Sequence, residues 1–210
     1  MKSNFPDGKY AKRSYDVPDI RSGAEDGVIE GHAAVYGQTV NIGNWFYEVI
    51  APGAFDRANL SDVALFLNHD IDKIPLARSR KNVPNSTMKV VPDDKGLFMS
   101  ANIDVENNSD ARTLKSAIDR KDISGMSFAF LVEDEEWAGL DTDMPTRTIK
   151  AISKVIEVSA VTYPAYSGTD IKARSKSLES DKAALERAKS ALSLSEAVLL
   201  KQKITMKGKV

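Results

Sequence analysis

Ile152-Ser153-Lys154-Val155-Ile156-Glu157-Val158-Ser159-Ala160-Val161 is rich in β-branched residues and holds neither glycine nor proline. Such a run reads as a strand. Upstream, Met126–Val132 (MSFAFLV) has the same texture. The stretch between them, Glu133 to Arg147, is acidic and punctuated by Gly139 and Pro145, which marks a loop or an extended hairpin. Further strands are expected over Val28–Tyr36 and Val63–Leu67, and a hairpin over Met88–Pro92 and Gly96–Val105 about an Asp93–Gly96 turn. Many short strands with turns between them suggest a barrel or sandwich.

Outside these runs the period changes. Ala111, Leu114, Ala117 and Ile118 fall three or four apart, so Ser109–Arg120 reads as an amphipathic helix capped by Ser109 or Asp110. Ala54–Asn59, entered through Pro52 and Gly53, suits a short helix. After Ser175, Leu178, Leu185, Ala188, Leu192 and Val198 form one narrow apolar seam among Lys, Glu and Ser. That pattern predicts a solvated terminal helix, too thinly apolar to bury well and mobile until a partner covers it. Residues 1–27 read as a flexible lead-in, without the apolar run of a secretory signal.

Composition narrows the chemistry. The 210 residues suffice for one domain with a full core. A net charge of −1 gives no basic field for nucleic acid, and no apolar stretch is long enough to span a bilayer. The absence of cysteine excludes disulfides and a thiolate nucleophile. With only two histidines, His32 and His69, histidine-dependent chemistry must use one of them.

Serine hydrolysis needs a hydroxyl, a base, and a group that fixes the base's tautomer. His69 follows an apolar strand, between Asn68 and Asp70, where a sheet opens to solvent; His32 lies inside Val28–Tyr36 and reads as packing. Ser127, between Met126 and Phe128, is either a nucleophile or a serine on the open face of an edge strand. No Gly-x-Ser-x-Gly elbow surrounds it, which argues against an α/β-hydrolase esterase. Glu157 is an acid in an apolar strand. If buried, it needs a partner, either an imidazole or an arginine such as Arg78 or Arg112.

Five segments in order carry a family resemblance: Gly31 with Ala33–Gly37, Ile50–Phe55, Asn68–Asp70, Gly125–Phe130 and Glu157–Ala165. Over roughly Val28 to Ala173 the chain resembles the prohead proteases of tailed phages of the HK97 type, relatives of herpesvirus assemblin. The resemblance implies a mixed, β-rich α+β fold, with a single β-barrel core ringed by helices. It divides the chain into a protease domain at 28–174 and a helical tail at 175–210. It matches the nucleophile to Ser127, the base to His69 and the third member to Glu157. Oxyanion donors are sought among the amides of Leu76–Ser79 or around Gly125. The implied enzyme is a serine endopeptidase that needs no cofactor and works inside the assembling prohead, in the host bacterial cytoplasm. Its substrates and partners would be the major capsid protein or a scaffold protein, with no nucleic acid or membrane. The tail would serve as tether or self-cleavage segment, and homo-oligomerisation is left open. The competing reading is an inactive scaffold- or capsid-binding β-module of the same fold.

Overall fold

The two apolar runs pair with each other. In the computed structural model, which describes residues 10–15, 19–162 and 171–207, β10 (Gly125–Ala138) and β11 (Thr146–Val161) form one long antiparallel hairpin. Glu133–Arg147 is therefore the arms and tip of that hairpin, the second of the two expectations. Several register shifts interrupt the ladder between Ala129 and Glu135, and such bulges bend and twist a strand.

Five more strands complete this sheet. They are β1 (Tyr10–Tyr15), β4 (Val40–Ile42), β5 (Phe46–Ile50), β6 (Asp62–Leu67) and β7 (Ala77–Arg80). The order is β1-β10-β11-β5-β4. β11 has β10 along one side; along the other, β5 runs parallel to its start and β6 parallel to its end. β7 extends the sheet from β6. A second sheet has the order β2 (Arg21–Ser22), β3 (Val28–Val35), β9 (Gly96–Asn102), β8 (Met88–Pro92). Among the described residues the strands form these two sheets and no closed barrel, so the single β-barrel is corrected to a two-sheet, mixed α+β arrangement. The physical reason lies at the edges: β1, β4 and β7 end one sheet, β2 and β8 the other, and no ladder joins them among the described residues.

One hydrophobic core lies under both sheets. Ile29, Phe55, Leu65, Leu97, Met99, Phe128, Phe130 and Val158 are fully buried in it. Phe128 stacks on Phe130 with centroids 4.4 Å apart, and Phe55 tilts against Phe128 at 5.7 Å. Gly31 lets the backbone of β3 pass the segment before β2, since a Cβ there would lie 2.9 Å from the Ile20 Cα.

Helix α1 (Ser109–Asp119) buries Ala111, Leu114 and Ile118 as its spacing requires. Its cap is Asn108, one residue earlier than expected, with Oδ1 accepting from the amides of Asp110 and Ala111. The helix expected at Ala54–Asn59 is instead a series of tight turns, with i+3 bonds Ala54 to Ala51, Asp56 to Gly53 and Ala58 to Phe55. Phe55 anchors that turn in the core, and packing there overrides helix propensity.

Both chain ends depart from expectation. Tyr10–Tyr15, assigned to the lead-in, is an edge strand paired with β10. Helix α2 (Ile171–Lys207) begins before Ser175, and its early part is packed. Ser177, Asp181, Ala184 and Leu185 are buried, Leu185 against Ile42 and Phe46. Beyond them Leu194, Val198 and Leu199 are exposed. The narrow seam thus buries at one end only, because polar residues, not the seam alone, tie that end to the sheet.

Candidate active site

Strand β6 delivers His69. It ends at Leu67, and the Asn68 amide donates to the Ala160 carbonyl, which extends the pairing to β11 by one residue. Asn68 Oδ1 accepts from the Thr162 amide at 3.0 Å and its Nδ2 donates to Thr162 Oγ1 at 3.1 Å. Asn68 (φ 51°) and His69 (φ 60°) both take left-handed backbone, which reverses the chain and turns the imidazole back over the sheet.

There His69 Nδ1 lies 2.7 Å from Glu157 Oε1. Glu157 is buried, and its other oxygen accepts from Ser159 Oγ at 2.6 Å. Alternation along β11 places Glu157 and Ser159 on one face, with Val158 and Ala160 turned to the core. The partners weighed for Glu157 from sequence are engaged elsewhere: Arg78 pairs with Asp62, and Arg112 donates to the carbonyls of Val105 and Glu106. His69 Nε2 is buried and has no hydrogen-bond partner among the described residues. An imidazole held by a carboxylate at one nitrogen, with the other free, is arranged to accept a proton.

Ser127 pairs directly with Ser159 across the hairpin, so its side chain lies on that same face. It is 0% exposed, between β1 and β11, and not on the open face of an edge strand. Its hydroxyl donates to the Arg13 carbonyl at 2.7 Å and accepts from Ser14 Oγ at 3.0 Å. The structure therefore joins His69 to Glu157 and sets Ser127 on their face, but directs the Ser127 proton to β1. Tyr10, also on β1, has its phenol pushed up to about 12 by burial and then by the negative charge of Glu157.

Behind β1 is a buried ion network. The Arg13 guanidinium meets Glu48 Oε1 at 2.5 Å and Oε2 at 2.8 Å, and Asp181 Oδ1 at 2.8 Å and Oδ2 at 3.1 Å. Arg147 reaches Glu48 at 3.1 Å, Asp181 at 3.5 Å, and Glu135. Burial would lower Arg13, but the Asp181 and Glu48 carboxylates outweigh it and hold the guanidinium firmly charged. Burial likewise pushes Glu48 up, yet Arg13 and Arg147 overcome it and bring it below the usual carboxylate range. For Asp181 burial prevails and the carboxyl is raised.

His32 is spoken for on both sides, with Nδ1 2.6 Å from Asp19 and Nε2 2.9 Å from Asp93, and its ring edge meets Phe98. Of the oxyanion candidates, the Leu76 amide donates to the Leu65 carbonyl and the Arg78 amide to Thr87 Oγ1, so neither is free. Sequence reasoning missed Ser159 as a partner of Glu157, although its i+2 spacing on one strand signalled a shared face. It also missed Ser14, Arg13, Glu48, Arg147 and Asp181, which meet only through long-range pairing.

The sequence profile of the caudovirus prohead serine proteases matches residues 13–183. The prohead protease of Enterobacteria phage HK97 is 30% identical over 158 residues, 72% of this chain, and the chain covers 63% of that relative's length. The solved structure of the bacteriophage T4 capsid assembly protease aligns with 74% of this chain and 98% of its own, at 15% identity and a TM-score of 0.44. With a profile match across most of its length, the chain belongs to the caudovirus prohead serine protease family.

Proposed function

We propose that the chain is a serine endopeptidase that cleaves capsid-protein or scaffold segments inside the prohead, and itself, during capsid maturation. One observation carries this reading. A buried carboxylate holds His69 by Nδ1 and leaves Nε2 unpartnered among the described residues, while Ser127 stands on the strand face that bears that carboxylate. The 30% identity to the prohead protease of phage HK97 supports the same reading.

In this mechanism Ser127 Oγ attacks the carbonyl carbon of the scissile peptide as its proton passes to His69 Nε2. Glu157 fixes the Nδ1–H tautomer and stabilises the imidazolium. Collapse of the tetrahedral intermediate breaks the C–N bond, and His69 gives its proton to the leaving amine. His69 then deprotonates a water that attacks the acyl ester, which releases the new carboxyl end and restores Ser127. Ser159 and the Asn68–Thr162 pair position the carboxylate and the imidazole.

Co-expression with the cognate capsid protein, followed by intact-mass analysis, tests this reading. The natural chain should yield shortened capsid protein, and Ser127→Ala should leave it at full length. Shortening that persists with Ser127→Ala would remove Ser127 from the mechanism.

A further inference from the structure

Among the described residues, strand β1 lies at the outer edge of its sheet and pairs only with β10. Proteins commonly recognise an extended peptide by adding it as a strand to a sheet edge. In register, Ser14 faces Ser127 and Arg13 faces Phe128. The Arg13 carbonyl receives the Ser127 hydroxyl. The Arg13 side chain is buried and held in a double fork by Glu48 and Asp181. A backbone carbonyl on the nucleophile and a side chain in a closed acidic pocket are what a bound substrate would present.

Glu48 and Asp181 both lie outside β1, although α2 is itself tied to β1, with Ser177 Oγ accepting from the Lys12 amide and Asp181 pairing with Arg13. Glu48 sits on β5 and is held by Arg147 from β11. Asp181 sits on α2, which Leu185 fastens to Ile42 and Phe46, and Lys182 lies over the Trp45 ring at 4.3 Å. With Arg13 withdrawn, Arg147 alone would face Glu48, Asp181 and Glu135, leaving three carboxylates on one cation. A buried site so unbalanced is relieved by a proton on Asp181, whose carboxyl burial already raises, or by another cation. Its paired oxygens suit the planar fork of a guanidinium better than a point charge.

We infer that the outer edge of β10 and the Glu48–Asp181 pocket form the substrate groove. The groove takes an extended peptide with arginine as the residue whose carbonyl faces Ser127, and β1 fills it in the resting chain. This rests on the protease reading above. It also explains why β1 sits intact beside the nucleophile: the Ser127 proton is directed to the Arg13 carbonyl oxygen, not to His69 Nε2.

The test is binding to the full-length chain, with labelled peptides followed by fluorescence anisotropy. One peptide has the sequence of Tyr10–Tyr15; the other has glutamine in place of its arginine. The Arg13→Ala chain, with β1 loosened and the pocket empty, should bind the arginine peptide about tenfold or more tighter than the glutamine peptide. It should also bind the arginine peptide more tightly than the natural chain does, whose own strand competes at high effective concentration. Equal binding of the two peptides, or binding of neither, overturns the inference and leaves Arg13 as a structural staple.

If Arg13→Ala unfolds, hydrogen exchange on the natural chain decides. Excess arginine peptide should speed exchange in β1 while β10 stays protected, and the glutamine peptide should not. Equal effects, or none, overturn the inference. Neither readout needs turnover, so the groove can fail while Ser127→Ala still abolishes processing, and the reverse.

Discussion

Glu157 and Ser159 stand two residues apart on β11, and the carboxylate they share a bond through is the one that holds His69. Both Glu157 oxygens are thereby used, one by the imidazole at 2.7 Å and one by the hydroxyl at 2.6 Å. Such a clamp fixes the carboxylate plane and, through it, the direction in which Nε2 points.

Ser127 and Glu157 should differ in their effect on processing. Ser127→Ala should reduce the rate by about 10⁶-fold, and Glu157→Gln by about 10⁴-fold, leaving activity that can be measured. Quantified product formation over time checks this. Equal and complete loss in both, with folding intact, would speak against an orienting role for Glu157.

Ser159→Ala removes a clamp and leaves the imidazole contact in place. Turnover should fall about tenfold, as for a net hydrogen bond near 1.4 kcal/mol, while KM stays near its natural value. Ser159→Thr, which keeps the hydroxyl, should recover part of the loss. An unchanged kcat in Ser159→Ala would make that bond incidental.

The depressed Glu48 predicts an acid limit to stability. A carboxyl brought below its unfolded value stabilises the fold fully above that value, and the stability is lost as pH falls through the folded one. The natural chain should therefore lose Tm as pH falls below about 4.5, the usual glutamate region. Glu48→Gln should be less stable at neutral pH and show a flatter decline, as thermal scans across pH would reveal.

The C-terminal helix should divide in two. Truncation after Ser190 removes the exposed Leu194, Val198 and Leu199 and should hardly move Tm. Truncation after Ser175 removes Asp181 and Leu185 as well. Breaking a buried ion pair costs about 3–5 kcal/mol, which corresponds to a Tm loss on the order of 10 °C in a chain of this size. Equal Tm for the two truncations would show that the network adds nothing.

His32→Ala should lower stability more than turnover, because both ring nitrogens meet carboxylates away from Ser127. Burial would push Asp19 up, but hydrogen bonds from Lys95 and His32 outweigh it and hold the carboxyl low. A selective loss of kcat in a chain of natural Tm would contradict this.

Much of this arrangement was legible in the residues. The apolar runs at Val63–Leu67, Met126–Val132 and Ile152–Val161 are strands because their composition admits little else. His69 was marked as reactive by its place at a strand tip, and Glu157 by its cost in an apolar run. Other features had no local signature. Ala54–Asn59 has a helical composition, but burying Phe55 fixes it as turns. Tyr10–Tyr15 is too polar to read as a strand, and it becomes one by pairing with residues more than a hundred positions away. Arg13, Glu48, Arg147 and Asp181 are spread along the chain and look solvated one by one; only tertiary pairing makes them a buried network. Sheet closure was likewise invisible, since edge positions depend on register and not on propensity.

The central claim is that Ser127 is a nucleophile activated by His69, and covalent capture tests it most directly. The natural chain is exposed at length to a fluorophosphonate, which reacts with activated serines, and the modified residue is located by peptide mapping. The account predicts modification at Ser127 alone, slowed about 10²-fold or more in His69→Ala, the scale of a lost general base. Modification at another serine, or an unchanged rate at Ser127 without His69, would contradict it.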